Sequence, residues 1–90
     1  MTIEIEPQET KVVFRKWPNG GILALFPQED EGQGCCLSYE HVGQHGTADY
    51  AGCIAATTWA TPYEYAPLFD ELSSIGYRLK VYKRRPRRAV

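Results

Sequence analysis

The sequence predicts an α+β fold: a mostly antiparallel sheet of four to five short strands with one helix packed on one face, in the order ββββαβ. Three stretches predict it. Lys11–Trp17 and Ile22–Phe26 are short runs of β-branched, aromatic and aliphatic residues on either side of Pro18-Asn19-Gly20-Gly21, the pattern of a hairpin. Thr61-Pro62-Tyr63-Glu64 opens a segment whose apolar residues recur at helical spacing as far as Gly76. Tyr77–Lys83 then alternates, with Tyr77, Leu79 and Val81 on one side and Arg78, Lys80 and Tyr82 on the other.

Taken in order, Met1–Thr10 is polar, carries Pro7, and is expected to fray, with flexible ends at about 1–9 and 85–90. In the first turn Pro18 suits the first central position of a type I turn, and the glycines after it tolerate positive φ. Pro27–Gly34 holds Glu29, Asp30, Glu31 and two glycines, and reads as an exposed loop with no core residue. Cys35–Tyr39 is the third strand, with Cys35, Leu37 and Tyr39 facing one way and Cys36 and Ser38 the other. Gly43 and Gly46 argue against a regular helix through the histidines, leaving a loop or a single irregular turn. Cys53–Trp59, CIAATTW, is assigned as the fourth strand.

The helix starts with a capping box, Thr61 as N-cap and Glu64 three residues on, with Pro62 at the first helical position. Its buried stripe is predicted to be Tyr65, Leu68, Phe69, Leu72 and Ile75. Pro67 removes an amide from the ladder, so a kink or a separate first turn is expected before it. Gly76 is placed to end the helix in the left-handed conformation.

Ninety residues, 10.2 kDa, support one core and hence one domain over 1–90. With 43% hydrophobic and 23% charged residues the chain has the balance of a folded globular protein. The acidic start MTIEIEPQET is not a secretory leader, and no apolar run reaches the roughly 18 residues a membrane helix needs, so a cytoplasmic protein without membrane contact is expected. Cys35, Cys36 and Cys53 cannot all pair, and bridging the adjacent two would require a strained ring; reduced, buried thiols are the expectation. The net charge of −1 conceals an asymmetry: seven acids and three bases up to His45, four acids and seven bases from Gly46 onward. Such a division can steer a partner.

The segment Gly34–Ala51, GCCLSYEHVGQHGTADYA, concentrates both histidines and two of the cysteines. Cys35, His41 and His45 could supply nitrogen and sulfur donors to a structural zinc. There is no Cys-x2-Cys, however, and in a strand Cys35 and Cys36 point to opposite faces, so no cofactor is expected. Cys35 or Cys36 with His41 or His45 and Asp49 has the residue types of a thiol nucleophile, but no oxyanion-hole signature accompanies them, and an enzyme is not expected. Glu29-Asp30-Glu31 could ligate calcium or mimic a nucleic acid, though three acids in a loop are more simply solvated. No glycine loop is followed by Lys-Ser/Thr, which excludes a phosphate-cradling motif of that kind.

The runs VVFRKWPNGGILALFP, SYEHVGQHG and TPYEYAPLFDELSSIGYRLKVYKR, together spanning about Lys11 to Arg84, resemble a group of small uncharacterised proteins encoded by gut bacteria, their phages and mobile elements. The resemblance implies a compact α+β domain of accessory or phage origin and carries no activity over to individual residues. The function expected is a non-catalytic binding module contacting an unidentified protein partner, a second copy in a homodimer included. Trp17, Tyr39, His41, Gln44, His45 and Tyr50 are its expected contact residues, because aromatic side chains anchor such surfaces. As an accessory protein of that origin, its target would be a host system. The alternative is nucleic-acid binding through the basic tail, Lys83, Arg84, Arg85, Arg87 and Arg88, with Tyr82, Tyr77 and Trp17 as stacking faces. Against it stands an overall pI near 6.1.

Overall fold

The computed structural model describes residues 9–40 and 44–83, without the side chain of Gln44. The fold is α+β, mostly sheet, with helices packed against it. Its elements are β1 (Thr10–Lys16), β2 (Ile22–Gly32), β3 (Cys35–Glu40), β4 (Gln44–Asp49), α1 (Tyr50–Ala56), β5 (Thr58–Trp59), α2 (Pro62–Ser74) and β6 (Leu79–Val81). The strands lie in the order β4-β3-β2-β1-β5, and β6 also pairs with β1. Every pairing is antiparallel except β1 with β6, which is parallel. The expected frayed ends fall outside the described residues, apart from Glu9 and from Thr10, which opens β1.

The first hairpin forms as its sequence predicts. Gly20 donates to the Trp17 carbonyl at 2.8 Å, Trp17 donates to Gly21 at 2.8 Å, and Gly20 takes φ +92°, which a side chain would strain. Beyond it β2 is longer than expected. Pro27 is buried and the strand continues to Gly32, so the stretch assigned to an exposed loop is strand. The register explains why the sequence hid this: Phe26 faces Leu37 but Asp30 faces Cys36, so β2 bulges over the intervening residues. Pro27, which has no amide to give, sits where the ladder is interrupted.

Two side-chain layers clothe the sheet. On one face Val12, Phe14, Ala24, Phe26 and Tyr39 meet Leu68 and Leu72 of α2. On the other Val13, Leu23, Leu25 and Cys36 meet Tyr50 of α1, with Cys53 and Ile54 packed beside them. Leu37 and Tyr77, Leu79 and Val81 join the first layer, while Tyr82 joins the second, as the alternation predicts.

Of the segment Cys53–Trp59 assigned to a fourth strand, Cys53–Ala56 is the second half of helix α1 and only Thr58–Trp59 is strand. Tyr50, Cys53, Ile54 and Thr57 recur at helical spacing and all turn inward, a signal present in the sequence and masked by the β-branched Thr57-Thr58 that follow. Gln44–Asp49, assigned to a turn or loop because of its glycines, is strand β4. It is held in register by β3, with Gly46 opposite Ser38.

The α2 capping box is present. The Glu64 amide donates to the Thr61 hydroxyl at 3.3 Å and the Thr61 amide donates to the Glu64 carboxylate at 2.9 Å. The helix ends as predicted at Gly76, φ +115°, where the Gly76 amide bonds Ser73 and the Tyr77 amide bonds Leu72, the double bond of a Schellman motif. Of the kink or separate first turn expected before Pro67, the separate turn is not formed: Pro62–Ser74 is one helix, and Pro67 lies exposed in its second turn, where the lost bond costs little at a solvated face. Ile75 is 54% exposed and drops out of the stripe, because it is the C-cap, where the helix is already ending.

Lys16 on β1 reaches Glu64 at 2.5 Å, tying the sheet to the start of α2. Its ammonium, then the backbone and hydroxyl of Thr61, lower the Glu64 pKa from 4.5 to about 2. The folded value is the lower one, so the stabilisation is full above the ordinary carboxylate value and disappears as pH falls through about 2. The urea midpoint of the wild type should therefore exceed that of Glu64→Gln at neutral pH, the difference closing on acidification between those two values. A gap that stayed constant down to the lower pH would remove the Lys16–Glu64 pair from the stability of the fold.

Candidate functional site

The residues first expected to make contacts are divided by the sheet. Tyr39 and Tyr50 are each 1% exposed and lie on opposite faces, inside the two layers. Trp17 is half-buried against the α1 layer. His45 is exposed and stands edge-on to Tyr39 with ring centroids 4.7 Å apart. Its Nε2 is 2.9 Å from the Tyr77 hydroxyl, and Tyr77 stacks on Phe26 at 5.3 Å. The Tyr39 hydroxyl donates to the Glu71 carboxylate of α2. Burial and nearby Glu29 push the Tyr77 hydroxyl pKa up, so it stays protonated. This cluster binds β3, β4, α2 and the α2–β6 link together. Tyr39 and Tyr50 are therefore not surface anchors: they face the sheet layers rather than solvent. His41 lies outside the described residues, as does the side chain of Gln44.

The same ladder separates Cys35 from His45, the described members of the zinc and nucleophile candidates, whose other histidine, His41, lies outside the described residues. Cys35 pairs with Asp49 and Tyr39 with His45, so Cys35 and His45 are four rungs apart, about 13 Å along the strands. Ligands of one tetrahedral ion lie within about 4 Å of each other, and a thiol–imidazole pair must be closer still. Among the described residues no three histidine, cysteine or acidic side chains converge on one point. Cys36 is buried on the opposite face from His45. Burial, then Asp49, Glu40 and Cys35, push the Cys53 thiol pKa up, the reverse of what an activated thiolate needs. None of the cysteines is in a disulfide; all three lie among the described residues.

A different site emerges at the far edge of the sheet. The outer edge of β1 is shared by two short strands: β6 takes Thr10–Val12 and β5 takes Arg15–Lys16. Where they meet, Tyr82 donates to the Val12 carbonyl at 2.9 Å and Ala60 to the Phe14 carbonyl at 3.2 Å. Between them opens a cleft of about 190 Å³ lined by Phe14, Trp59, Ala60, Pro62, Tyr65, Val81, Tyr82 and Lys83. Phe14 and Tyr65 stack at 4.4 Å as part of its lining.

Beside the cleft, Arg15 organises the edge. It is 5% exposed, and its guanidinium donates to the Thr57 hydroxyl at 2.9 Å, the Ile54 carbonyl at 3.0 Å and the Thr57 carbonyl at 2.6 Å. These are groups at the end of α1, where free carbonyls and the helix dipole favour a cation. Thr57 in turn donates to the Cys53 carbonyl at 2.6 Å. The guanidinium lies 4.6 Å over the ring of Trp59, which is 38% exposed. Burial pulls the Arg15 pKa down and neighbouring Tyr50 raises it, but an arginine remains charged throughout.

Of the residues in this cleft, the sequence had singled out Tyr82 and Lys83 for nucleic acid and had passed over Phe14, Ala60 and Val81. They come together only because two strands share one edge, a tertiary arrangement no local spacing encodes. Of the basic tail, Lys83 is in the cleft wall and the arginines lie outside the described residues. Among the described residues no helix is long and apolar enough to cross a membrane. No protein-family model, curated protein or solved structure matches the chain.

Proposed function

We propose that the protein is a non-catalytic binding module that takes an apolar side chain of a protein partner into the cleft between β5 and β6. The cleft carries this reading: at about 190 Å³ it is smaller than the ~300–1,000 Å³ of sites that enclose metabolites or cofactors, and it suits a single large side chain. Trp59 in its lining is partly exposed yet held by Arg15, a pre-organised aromatic of the kind that dominates binding energy. Nucleic acid is the second reading. Lys83 forms part of the wall, Lys11 stands 6.0 Å over the Tyr82 ring, and Arg84, Arg85, Arg87 and Arg88 follow in sequence.

Capture from a bacterial lysate with the wild type and with Trp59→Ala separates them. A protein partner should be retained by the wild type after nuclease treatment, and the variant should bind it about 30-fold more weakly, as loss of one hot-spot residue does. Retention by both proteins alike, or loss of capture on nuclease treatment, would reject the protein-binding reading. The second result would favour nucleic acid.

A further inference from the structure

We propose that two copies of the chain pair antiparallel through the outer edges of β4, joining their sheets about a two-fold axis at Thr47. This surface lies at the opposite edge from the cleft and does not rest on the reading given to it. In an antiparallel sheet each residue directs both its N–H and its C=O to one neighbouring strand, and successive residues alternate sides. At the β1–β2 hairpin Trp17 bonds Gly21, so odd-numbered residues of β1 face β2 and even-numbered ones face outward, where Val12 and Phe14 accept from Tyr82 and Ala60. On the other side of the sheet, the Tyr50 amide donates to the Gly34 carbonyl at 3.4 Å, one rung beyond the Cys35–Asp49 pair. Even-numbered residues of β4 therefore bond β3. His45, Thr47 and Asp49 turn their N–H and C=O groups away from it.

Among the described residues that edge is open: β4 pairs only with β3, and His45, Thr47 and Asp49 are exposed. The chain leaves β4 by turning onto the face that α1 covers, not around the edge. The strand QHGTAD has no Lys, Pro or bulge, the devices that usually prevent edge pairing, and Gly46 and Ala48 add little bulk.

The occupant follows from symmetry and charge. A two-fold axis perpendicular to the sheet preserves each face, so residues opposite one another must share parity. The register that uses all three outward residues sets Thr47 against Thr47 and His45 against Asp49 of the second copy, twice over. It forms on the order of six N–H···O=C bonds, two per rung. The imidazole, whose Nε2 is engaged by Tyr77, would present its other nitrogen to that carboxylate. A contact of six strand residues per copy is at the small end of specific interfaces, so association in the micromolar range is expected. The joined sheet would carry its two clefts at opposite ends.

Sedimentation equilibrium of the full chain tests this with Thr47→Lys and Thr47→Asp, whose side chains are exposed in the single copy. The wild type should dimerise. Each variant alone should weaken the dimer about 10-fold or more, because like charges meet at the axis. Mixed one to one, the two variants should recover a dimer at least as tight as the wild type, a result only a self-facing residue produces. Circular dichroism identical to the wild type confirms that each variant is folded, and Thr47→Pro, which removes only an outward amide, replaces any that is not. A wild type monomeric up to ~100 μM, or variants that stay dimeric alone, would overturn the proposal.

Discussion

Leu72→Asp is expected to leave the chain unfolded at room temperature without denaturant. Leu72 is 0% exposed, at the centre of the layer formed by Val12, Phe14, Ala24, Phe26, Tyr39 and Leu68. Truncating such a leucine to alanine costs about 2–5 kcal/mol through lost transfer energy and the cavity left behind. Aspartate adds a carboxylate with no partner in an apolar layer, a further cost of several kcal/mol even after the group takes up a proton. Small domains hold only about 5–15 kcal/mol in all, and one of this size belongs near the lower end. Far-ultraviolet circular dichroism and urea titration read the result directly. A variant with the wild-type urea midpoint would mean that α2 does not pack on this face.

Arg15→Ala should be the next most damaging change, at about 3 kcal/mol. The substitution strands the carbonyls of Ile54 and Thr57 in an environment where water reaches little, and each unsatisfied group costs about 1–3 kcal/mol, while the Thr57 hydroxyl keeps its bond to Cys53. It also frees the Trp59 ring. Arg15→Lys should recover less than half of the loss, since a single ammonium cannot reproduce a planar fork that reaches the Thr57 hydroxyl from Nε and two carbonyls from Nη2 while stacking on an indole. Chemical denaturation measures the stabilities and tryptophan emission reports the freed ring. If lysine restored full stability, point charge at the end of α1 would suffice and the fork geometry would be irrelevant.

These two residues also show where local sequence stops being informative. The inward position of Leu72 is legible in the sequence because a helix declares itself through neighbours: the Thr61–Glu64 capping box, the three- and four-residue spacing and Gly76 all act within a few residues of one another. The role of Arg15 is not legible in that way. It sits in a strand whose alternation marks it for one face, and nothing nearby shows that the end of a helix some 40 residues later will be laid over it. Local pattern also misled at Gln44–Asp49. Glycines argue for a turn only while no neighbouring strand supplies the hydrogen bonds, and β3 supplies them.

By itself the sequence determined the α+β class, the first hairpin, the start and end of α2, and which side chains of β3 and β6 share a face. Each follows from interactions between residues close in the chain or from the period of a strand. Only the tertiary structure decided that β2 runs on through Pro27, that Gln44–Asp49 is the edge strand among the described residues, that Tyr39 and Tyr50 are core, and that β5 and β6 divide one edge of β1. Those outcomes depend on which strand lies beside which, and pairing is set by backbone groups that every residue but proline carries alike.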